Sequence, residues 1–108
     1  MKNVPRNLKS YFVCLLRKGE RWNDIAGAEE LGAQHLAFMR EQIEARHFLF
    51  AGPVTDENPI RGVTVIEAAS LEEAKELVSQ DPSILAARLS AEILPVYFPS
   101  LDAVRVEF

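Results

Sequence analysis

The chain has 108 residues, of which 48% are hydrophobic and 26% are charged, and its formal net charge is −4. These values predict a single globular domain over residues 1–108, with a core at about 10–98 and a tail at 99–108. The 12 basic residues are scattered along the sequence, which argues against nucleic-acid binding. No apolar run is long enough to cross a membrane, and the first residues do not resemble a signal peptide, so we expect a cytoplasmic protein.

Cys14 is the only cysteine, and it lies within an apolar run. One cysteine cannot form an intrachain disulfide, which agrees with a reducing compartment. The sequence therefore predicts that Cys14 packs as a small hydrophobic side chain. A reactive thiol is the alternative, but no neighbour in the sequence would lower its pKa.

The first half of the chain predicts a strand, a long helix and a second strand. Residues 11–16 form an aromatic and branched apolar run that is typical of a strand, and the polar residues 17–27 form a loop. Over residues 28–46, apolar side chains recur at helical spacing, and acidic residues come early and basic residues late, which suits the helix dipole. A second strand begins at residues 48–51 and is ended by a Gly-Pro pair.

The third strand and the second helix follow. Residues 55–61 are polar and form a connection, and residues 63–67 have the composition of a strand. Ser70 then begins a capping box that Glu73 completes, so the sequence predicts a helix over Leu71–Ser79.

A short helical turn and a fourth strand complete the predicted elements. Asp81 is placed as the cap of the turn and Pro82 as its first residue, with residues 83–89 continuing it. Residues 93–98 form the fourth strand, which should lie at an edge or start late because Pro95 cannot donate a ladder hydrogen bond. Alternating apolar residues in the tail predict a further edge strand.

This order of elements, β-α-β-β-α-β, predicts an α+β domain with the ferredoxin-like arrangement, in which both helices cover one face of a four-stranded antiparallel sheet. The other face of such a sheet is polar when water covers it, yet both sides of the predicted strands are apolar. Monomeric proteins rarely leave so large an apolar area exposed. We therefore expect a homodimer in which two sheets pack face to face.

His35 lies among apolar residues on the predicted long helix, where its ring needs a polar partner because burying an unpaired polar group costs free energy. Asp81 is the candidate partner. A histidine held by a carboxylate is suited to proton transfer near neutral pH, because one ring nitrogen is fixed and the other is left for a substrate. The alternatives are a core histidine bonded to a carbonyl oxygen and an aspartate that is only a helix cap, and one carboxylate can serve as both cap and partner.

Three further residues are candidates for the wall of a site. Gly52 and Pro53 can form the wall through close approach of the backbone, although a turn that ends the strand explains them nearly as well. Trp22, in the loop after the first strand, can serve as a lid or a stacking surface, or can pack on the protein surface.

His47 comes at the end of the long helix, where a positive charge is favoured, so we expect a structural role. It follows His35 by twelve residues, or about 18 Å along a helix, so the two cannot share a metal ion. With one cysteine besides, the sequence predicts no metal site. It contains no phosphate-binding glycine loop, serine nucleophile elbow or dinucleotide motif, and we expect no cofactor.

Several segments together resemble the YCII-related (YciI-like) family of dimeric α/β-barrel proteins. They are the first strand, Leu-x-x-x-His35-Leu-x-Phe-Met, Phe-Leu-Phe-Ala-Gly52-Pro53, Ser70-Leu-Glu-Glu-Ala-Lys and Asp81-Pro82, and they cover roughly residues 11–98. The resemblance implies a ferredoxin-like fold with a small-molecule site at the sheet edge, formed by His35 and Asp81. Some members carry a basic residue three positions before the histidine, where this chain has Gly32, so a contact to substrate anions is either absent or supplied by another residue such as Arg61.

Two functions from different classes follow. The activity attached to the family is lyase-like, on small cyclic or aromatic compounds. The resemblance therefore implies a cofactor-free enzyme of lyase or isomerase type, in which His35 is the general acid or base and Asp81 orients it. The alternative is a non-catalytic dimeric module that binds a small ligand, or serves as an accessory protein, through the same pocket. A purely structural role is a third option, favoured if side chains fill that pocket.

Overall fold

The structure is a computed structural model that describes residues 5–108. The expectation that the chain has no signal peptide concerns its first residues, and residues 1–4 lie outside the described part. Along this part the chain forms β1 (Leu8–Lys18), α1 (Ala28–Glu44), β2 (Phe48–Pro53), β3 (Ile60–Ile66), α2 (Leu71–Ser79), α3 (Pro82–Leu85) and β4 (Leu89–Pro99). None of its helices is long and apolar enough to cross a membrane.

The four strands form one antiparallel sheet in the order β2-β3-β1-β4. The central strand β1 pairs with β3 on one side and with the whole of β4 on the other. This arrangement confirms the predicted α+β fold of ferredoxin-like type. The edge position predicted from Pro95 is also confirmed, because β4 has a free side where a missing backbone N–H is tolerated.

One face of the sheet carries the main hydrophobic core. The side chains of Phe12, Cys14 and Leu16 point to this face from β1 and are almost fully buried. They pack against Met39 of α1 and Val78 of α2. Only one other side chain of α1, that of Gln42, is buried, so most of this helix is partly or fully exposed.

The opposite face carries a second, smaller core that the sequence did not predict. A bulge near the start of β2 turns Leu49 to this face, where it is buried together with Tyr11 and Val65. The backbone N–H of Leu101 donates a 2.7 Å hydrogen bond to the hydroxyl of Tyr11. The segment after β4 therefore folds back over this part of the sheet.

The structure of residues 100–108 differs from two expectations. The further edge strand is not formed, because residues 100–108 make a turn and then continue without ladder pairing. The carbonyl oxygen of Val104 accepts a 3.2 Å hydrogen bond from Arg46 Nη1 instead. The outer face is also less bare than expected, because Leu101 packs on it, although Val63 and Leu94 remain 37% and 42% exposed there.

α1 ends two residues earlier than predicted, in a Schellman motif. The N–H of His47 donates to the carbonyl oxygen of Gln42 at 3.1 Å, and the N–H of Arg46 donates to that of Ile43 at 3.0 Å. Arg46 has the left-handed conformation that this motif requires, with φ of 62°. The Nδ1 atom of His47 also lies 2.8 Å from Oε1 of Gln42, which agrees with its expected structural role.

Local sequence signals predicted the bounds of α2 correctly but not the end of β2. α2 spans the predicted residues, and the hydroxyl of Ser70 accepts the N–H of Glu73 at 3.1 Å. The Gly-Pro pair, by contrast, lies inside β2 rather than after it, because Pro53 pairs with Gly62 of β3. Proline is tolerated there because β2 is an edge strand.

Candidate active site

A cavity of about 570 Å³ lies between α1, the β2–β3 edge of the sheet and the connection from α3 to β4. This volume is typical of sites for small molecules. Its wall is mainly apolar and includes Leu36, Met39 and Ile43 of α1 and Leu16 of β1. The few polar side chains on the wall therefore decide what chemistry it can perform.

His35 reaches from α1 to a buried carboxylate behind the wall. Its Nδ1 atom lies 2.6 Å from Oδ2 of Asp81, at the short end of the range for hydrogen bonds. The Asp81 side chain is 2% exposed and that of His35 is 19% exposed, so the aspartate is sealed while the ring borders the cavity. The structure thus brings together the two residues that the sequence paired.

The second ring nitrogen of His35, Nε2, is accessible. It makes no hydrogen bond with the described residues, and in this part of the chain no fully buried polar side-chain atom lacks a partner. Nε2 must therefore be open to the cavity or to solvent. A neutral ring that donates its Nδ1–H to Asp81 presents a lone pair at this atom.

Asp81 has two structural roles. Its Oδ1 accepts the backbone N–H of Ser83 at 2.9 Å and so caps α3, in which Pro82 is the first residue. The cap fixes the carboxylate with Oδ2 directed at His35. One carboxylate is thus both helix cap and histidine partner, and the two interpretations of Asp81 are compatible.

Cys14 borders the same small cavity as Asp81, and its thiol is buried. Burial, with a smaller contribution from the charge of Asp81, raises the pKa of the thiol to about 12. A thiol with this pKa is protonated at neutral pH and is a poor nucleophile. The structure agrees with the prediction that Cys14 packs as a small hydrophobic side chain.

The four residues predicted to contact substrate, Gly52, Pro53, Trp22 and Arg61, all border the same cavity as His35. Gly52 and Pro53 end β2, and Arg61 is the second residue of the neighbouring strand β3. Gly52 pairs with Val63 of β3, so a Cβ at this position would point into open space at the outer face of the sheet. Gly52 therefore borders the cavity through its backbone.

The loop that carries Trp22 is attached at its base to the α3–β4 connection. The N–H groups of Gly19 and Arg21 donate to the carbonyl oxygens of Arg88 and Ala87 at 2.8 and 2.9 Å. A Cβ on Gly19 would overlap the carbonyl group of Ala87, so this approach requires glycine. The contacts hold the indole of Trp22 at the cavity wall.

Arg88 is a cavity residue that the sequence reasoning missed. Its Nη1 donates to the carbonyl oxygens of Trp22 and Asp24 at 2.7 and 3.2 Å, and its guanidinium carbon lies 4.4 Å from the centre of the Trp22 ring. These partners are far apart in the chain and meet only in the folded protein. The one available signal was the position of Arg88 soon after the helical turn that Asp81 begins.

Metal ligation has no candidate within residues 5–108, where no three His, Cys, Asp or Glu side chains lie together in a way that could hold a metal ion. The two histidines are separate, since His47 bonds to Gln42 and His35 to Asp81.

The sequence matches the YCII-related domain family over residues 11–97. The structure is similar to that of 5-chloro-2-hydroxyhydroquinone dehydrochlorinase from Burkholderia phenoliruptrix, solved in complex with 2,5-dihydroxybenzoquinone. The identity is 19%, the match covers 80% of this chain and 91% of that chain, and the TM-score is 0.53, which supports the shared fold. No curated protein matches the sequence. With the family match extending over most of its length, the chain belongs to the YCII-related domain family.

Proposed function

We propose that this protein is a small-molecule enzyme of lyase or isomerase type, which uses His35 and Asp81 to move a proton on a small cyclic or aromatic compound. The observation that carries this function is the 2.6 Å contact between His35 Nδ1 and Asp81 Oδ2 at the wall of a cavity of about 570 Å³. A buried carboxylate that fixes the ring from behind leaves Nε2 for the substrate. The reaction uses no cofactor.

Nε2 acts first as a base. It accepts a proton from a carbon or hydroxyl group of the bound compound, and the carboxylate of Asp81 stabilises the imidazolium that forms. The electron pair left on the substrate expels a leaving group in an elimination, or shifts a double bond in an isomerisation. The proton then passes from Nε2 to the product or to water, which restores the neutral ring.

The remaining cavity residues position the compound. Trp22 offers apolar surface beside Arg88, whose guanidinium group lies against its ring, and Arg61 offers a positive charge. Gly52 and Pro53 bound the cavity through their backbone. Because side chains do not fill the cavity, we favour a ligand-binding function over a purely structural one.

The dehydrochlorinase with a similar fold supports this reaction class. Dehydrochlorination removes a proton and a chloride ion, and the compound named for that enzyme is a small aromatic one. At 19% identity the similarity is one of fold, so we propose the class of reaction for this chain and leave the compound to experiment.

A second candidate is a non-catalytic module that binds a small ligand, or an accessory protein, using the same cavity. The observation in its favour is that Trp22, Arg61 and Arg88 border the cavity independently of the histidine and its partner. Such a module would bind a ligand saturably without converting it.

We also propose that two copies of the chain pack through their outer sheet faces. Val63 and Leu94 are exposed there beside the partly exposed Val13 and Phe50, and a second sheet would remove this apolar area from water. We infer a cytoplasmic location from the single buried cysteine.

Turnover by matched variants tests the enzymatic function. The purified protein is incubated with small cyclic and aromatic compounds, beginning with 5-chloro-2-hydroxyhydroquinone, and chloride release and absorbance are followed. We expect His35→Gln to lower turnover about 10²- to 10⁴-fold, the usual contribution of a general acid or base. Asp81→Asn should lower turnover while preserving the cap of α3, because asparagine caps helices well.

Ser70→Ala is the control, because it removes the cap of α2 outside the cavity wall. It should leave turnover unchanged at a temperature where the variant is folded. Unchanged turnover in His35→Gln would contradict the role of this residue, and saturable binding without turnover of any compound would favour the binding module.

A further inference from the structure

The wall of the cavity has a charge opposite to that of the whole chain. The sequence contains 16 acidic and 12 basic residues, yet among residues 5–108 the wall includes three arginines and no aspartate or glutamate side chain. One of them, Arg40, is paired with Glu44 at 3.1 Å. Within residues 5–108, neither Arg61 nor Arg88 forms an ion pair with a carboxylate. These two arginines therefore bring uncompensated positive charge to the site.

Arg88 is held by neutral groups only. The acceptors of its Nη1 are the carbonyl oxygens of Trp22 and Asp24, whereas the carboxylate of Asp24 bonds to Arg21 at 2.9 Å. Carbonyl oxygens fix the position of a guanidinium group without neutralising its charge. The Nε and Nη2 atoms of Arg88 make no hydrogen bond with the described residues, so one edge of the group is free for a ligand.

Arg61 is held in the same way at the β2–β3 edge. Its Nη1 donates to the carbonyl oxygens of Asp56 and Asn58 at 2.9 and 3.0 Å, and its Nη2 donates to that of Val54 at 3.5 Å. All three acceptors belong to the backbone of the loop that precedes β3. The loop therefore orients the guanidinium group beside the cavity and leaves its charge intact.

Three cationic side chains lie near the indole ring of Trp22. The guanidinium carbons of Arg88 and Arg61 lie 4.4 and 6.0 Å from the centre of its ring, and Nζ of Lys18 lies 5.7 Å away. Contacts of this kind between cations and the face of an indole are attractive. Three cations are thus gathered around one aromatic ring at the cavity wall.

Most of the remainder of the wall is apolar. Leu36, Met39 and Ile43 lie along α1 on the same helix as His35. A flat apolar ring is suited to this surface, because it displaces water from apolar side chains. A ligand with such a ring and one anionic group would satisfy both parts of the cavity.

We infer that the cavity binds a small organic carboxylate carried on a single apolar ring, with Arg88 and Arg61 as the residues that bind the anionic group. Guanidinium groups suit carboxylates because two parallel N–H groups can donate to the two oxygens. This inference rests on the proposed function for the location of the site, and it adds the charge of the substrate.

Benzoate and benzamide are the probes, because they share a shape and differ in charge. Trp22 is the only tryptophan in the chain, so its fluorescence reports binding at this wall. We expect benzoate to change the emission saturably and benzamide to bind at least about tenfold more weakly. Arg88→Gln should weaken benzoate binding about 10- to 100-fold and leave benzamide binding unchanged. Arg88→Lys, which keeps the charge, should restore part of the benzoate affinity.

Arg17→Gln is the matched control, since this arginine pairs with Glu92 at 2.8 Å and does not border the cavity. The ratio of the benzoate and benzamide affinities should stay as in the unmodified protein. Equal losses for both probes in Arg88→Gln would mean that the variant only loosens the Trp22 loop, and this would overturn the inference. Equal affinities in the unmodified protein, or no benzoate binding up to about 10 mM, would overturn it as well.

The binding experiment is independent of catalysis. Discrimination between the two probes without turnover of any compound would support the anion site and contradict the enzymatic function. Turnover that depends on His35, together with equal binding of benzoate and benzamide, would support the enzymatic function and overturn the anion site.

Discussion

The two oxygens of the Asp81 carboxylate have separate partners, the N–H of Ser83 and the ring of His35. Asp81→Ala removes both bonds in a buried place, so we expect the free energy of unfolding to fall by about 2–4 kcal/mol. Asp81→Asn can still accept the N–H and should lose less than half of that amount. Urea unfolding followed by circular dichroism measures both values. Equal losses in the two variants would contradict the separate roles of the oxygens.

Cys14 makes the stability of the protein sensitive to alkaline pH. Burial raises the pKa of its thiol to about 12, so the folded state holds the thiol proton more tightly than the unfolded chain does. The stabilisation from this residue is complete below pH about 9 and is lost as the pH rises from about 9 towards 12. Cys14→Ala lacks this loss, so the difference in unfolding free energy between the unmodified protein and the variant should shrink by about 1 kcal/mol per pH unit.

Urea unfolding of both proteins at several pH values from about 8 to about 10 measures this difference. Residues that titrate in the same range are present in both proteins and cancel in the comparison. A difference that stays constant above pH about 9 would show that the thiol is not shielded from water.

At the scale of single residues, the sequence was informative where the position of a residue required a particular partner or structural role. His35 required a polar partner on an apolar face, and Asp81 preceded a proline where a helix cap was expected, so the two could be paired before the structure was known. No comparable requirement in the local sequence pointed to Arg88. Its place at the cavity depends on backbone carbonyls of a loop more than sixty residues away, which no local pattern encodes.

Substitution by alanine should change the free energy of unfolding in opposite directions at two glycines, one in the Trp22 loop and one in α1. Gly19→Ala would force a Cβ against the carbonyl group of Ala87, so we expect a loss of about 1–3 kcal/mol in unfolding free energy and a shift of the Trp22 emission. Gly32 lies inside α1 with open space around it. Gly32→Ala should therefore raise the stability by about 0.5–1 kcal/mol, because alanine favours the helix.

Thermal unfolding followed by circular dichroism compares the two variants directly, and each is the control for the other. A similar change in both would mean that the close approach of Gly19 to Ala87 is absent in solution.

At the scale of elements, boundaries were predictable where the chain signals them locally. α2 begins at the Ser70 cap and ends before an Asp-Pro pair, and both signals are in the sequence. β1 is longer than the apolar run that predicted it, because β4 pairs with it from Leu8 to Lys18. The bulge that turns Leu49 outward also depends on a neighbouring strand. Pairing between distant strands cannot be predicted from the sequence of either strand alone.

At the scale of the whole molecule, the proposed dimer gives a direct expectation. We expect a mass in solution of twice the 12.1 kDa of one chain. Leu94→Arg places a charge on the outer sheet face, where Leu94 is 42% exposed, and should shift the protein towards the monomer because a buried unpaired charge is costly. Leu85→Arg is the control, since this residue is 74% exposed on α3 at the other face. Sedimentation velocity measures the masses.

A monomer in the unmodified protein would contradict the dimer, and so would equal behaviour of the two variants. The apolar pattern of the strands indicated that the outer face had to be covered. It could not indicate that the tail covers part of it, because the contact of Leu101 with Tyr11 joins residues 90 positions apart.

The most direct test of the central claim is the position of the proton on the His35 ring. Long-range ¹H–¹⁵N NMR spectra of the unmodified protein and of Asp81→Asn distinguish the two neutral forms of the ring. We expect the unmodified protein to carry the proton on Nδ1, donated to Asp81, with a free lone pair at Nε2. In Asp81→Asn the share of the form protonated on Nε2 should rise. A proton on Nε2 in the unmodified protein, or identical spectra for the two proteins, would contradict the account.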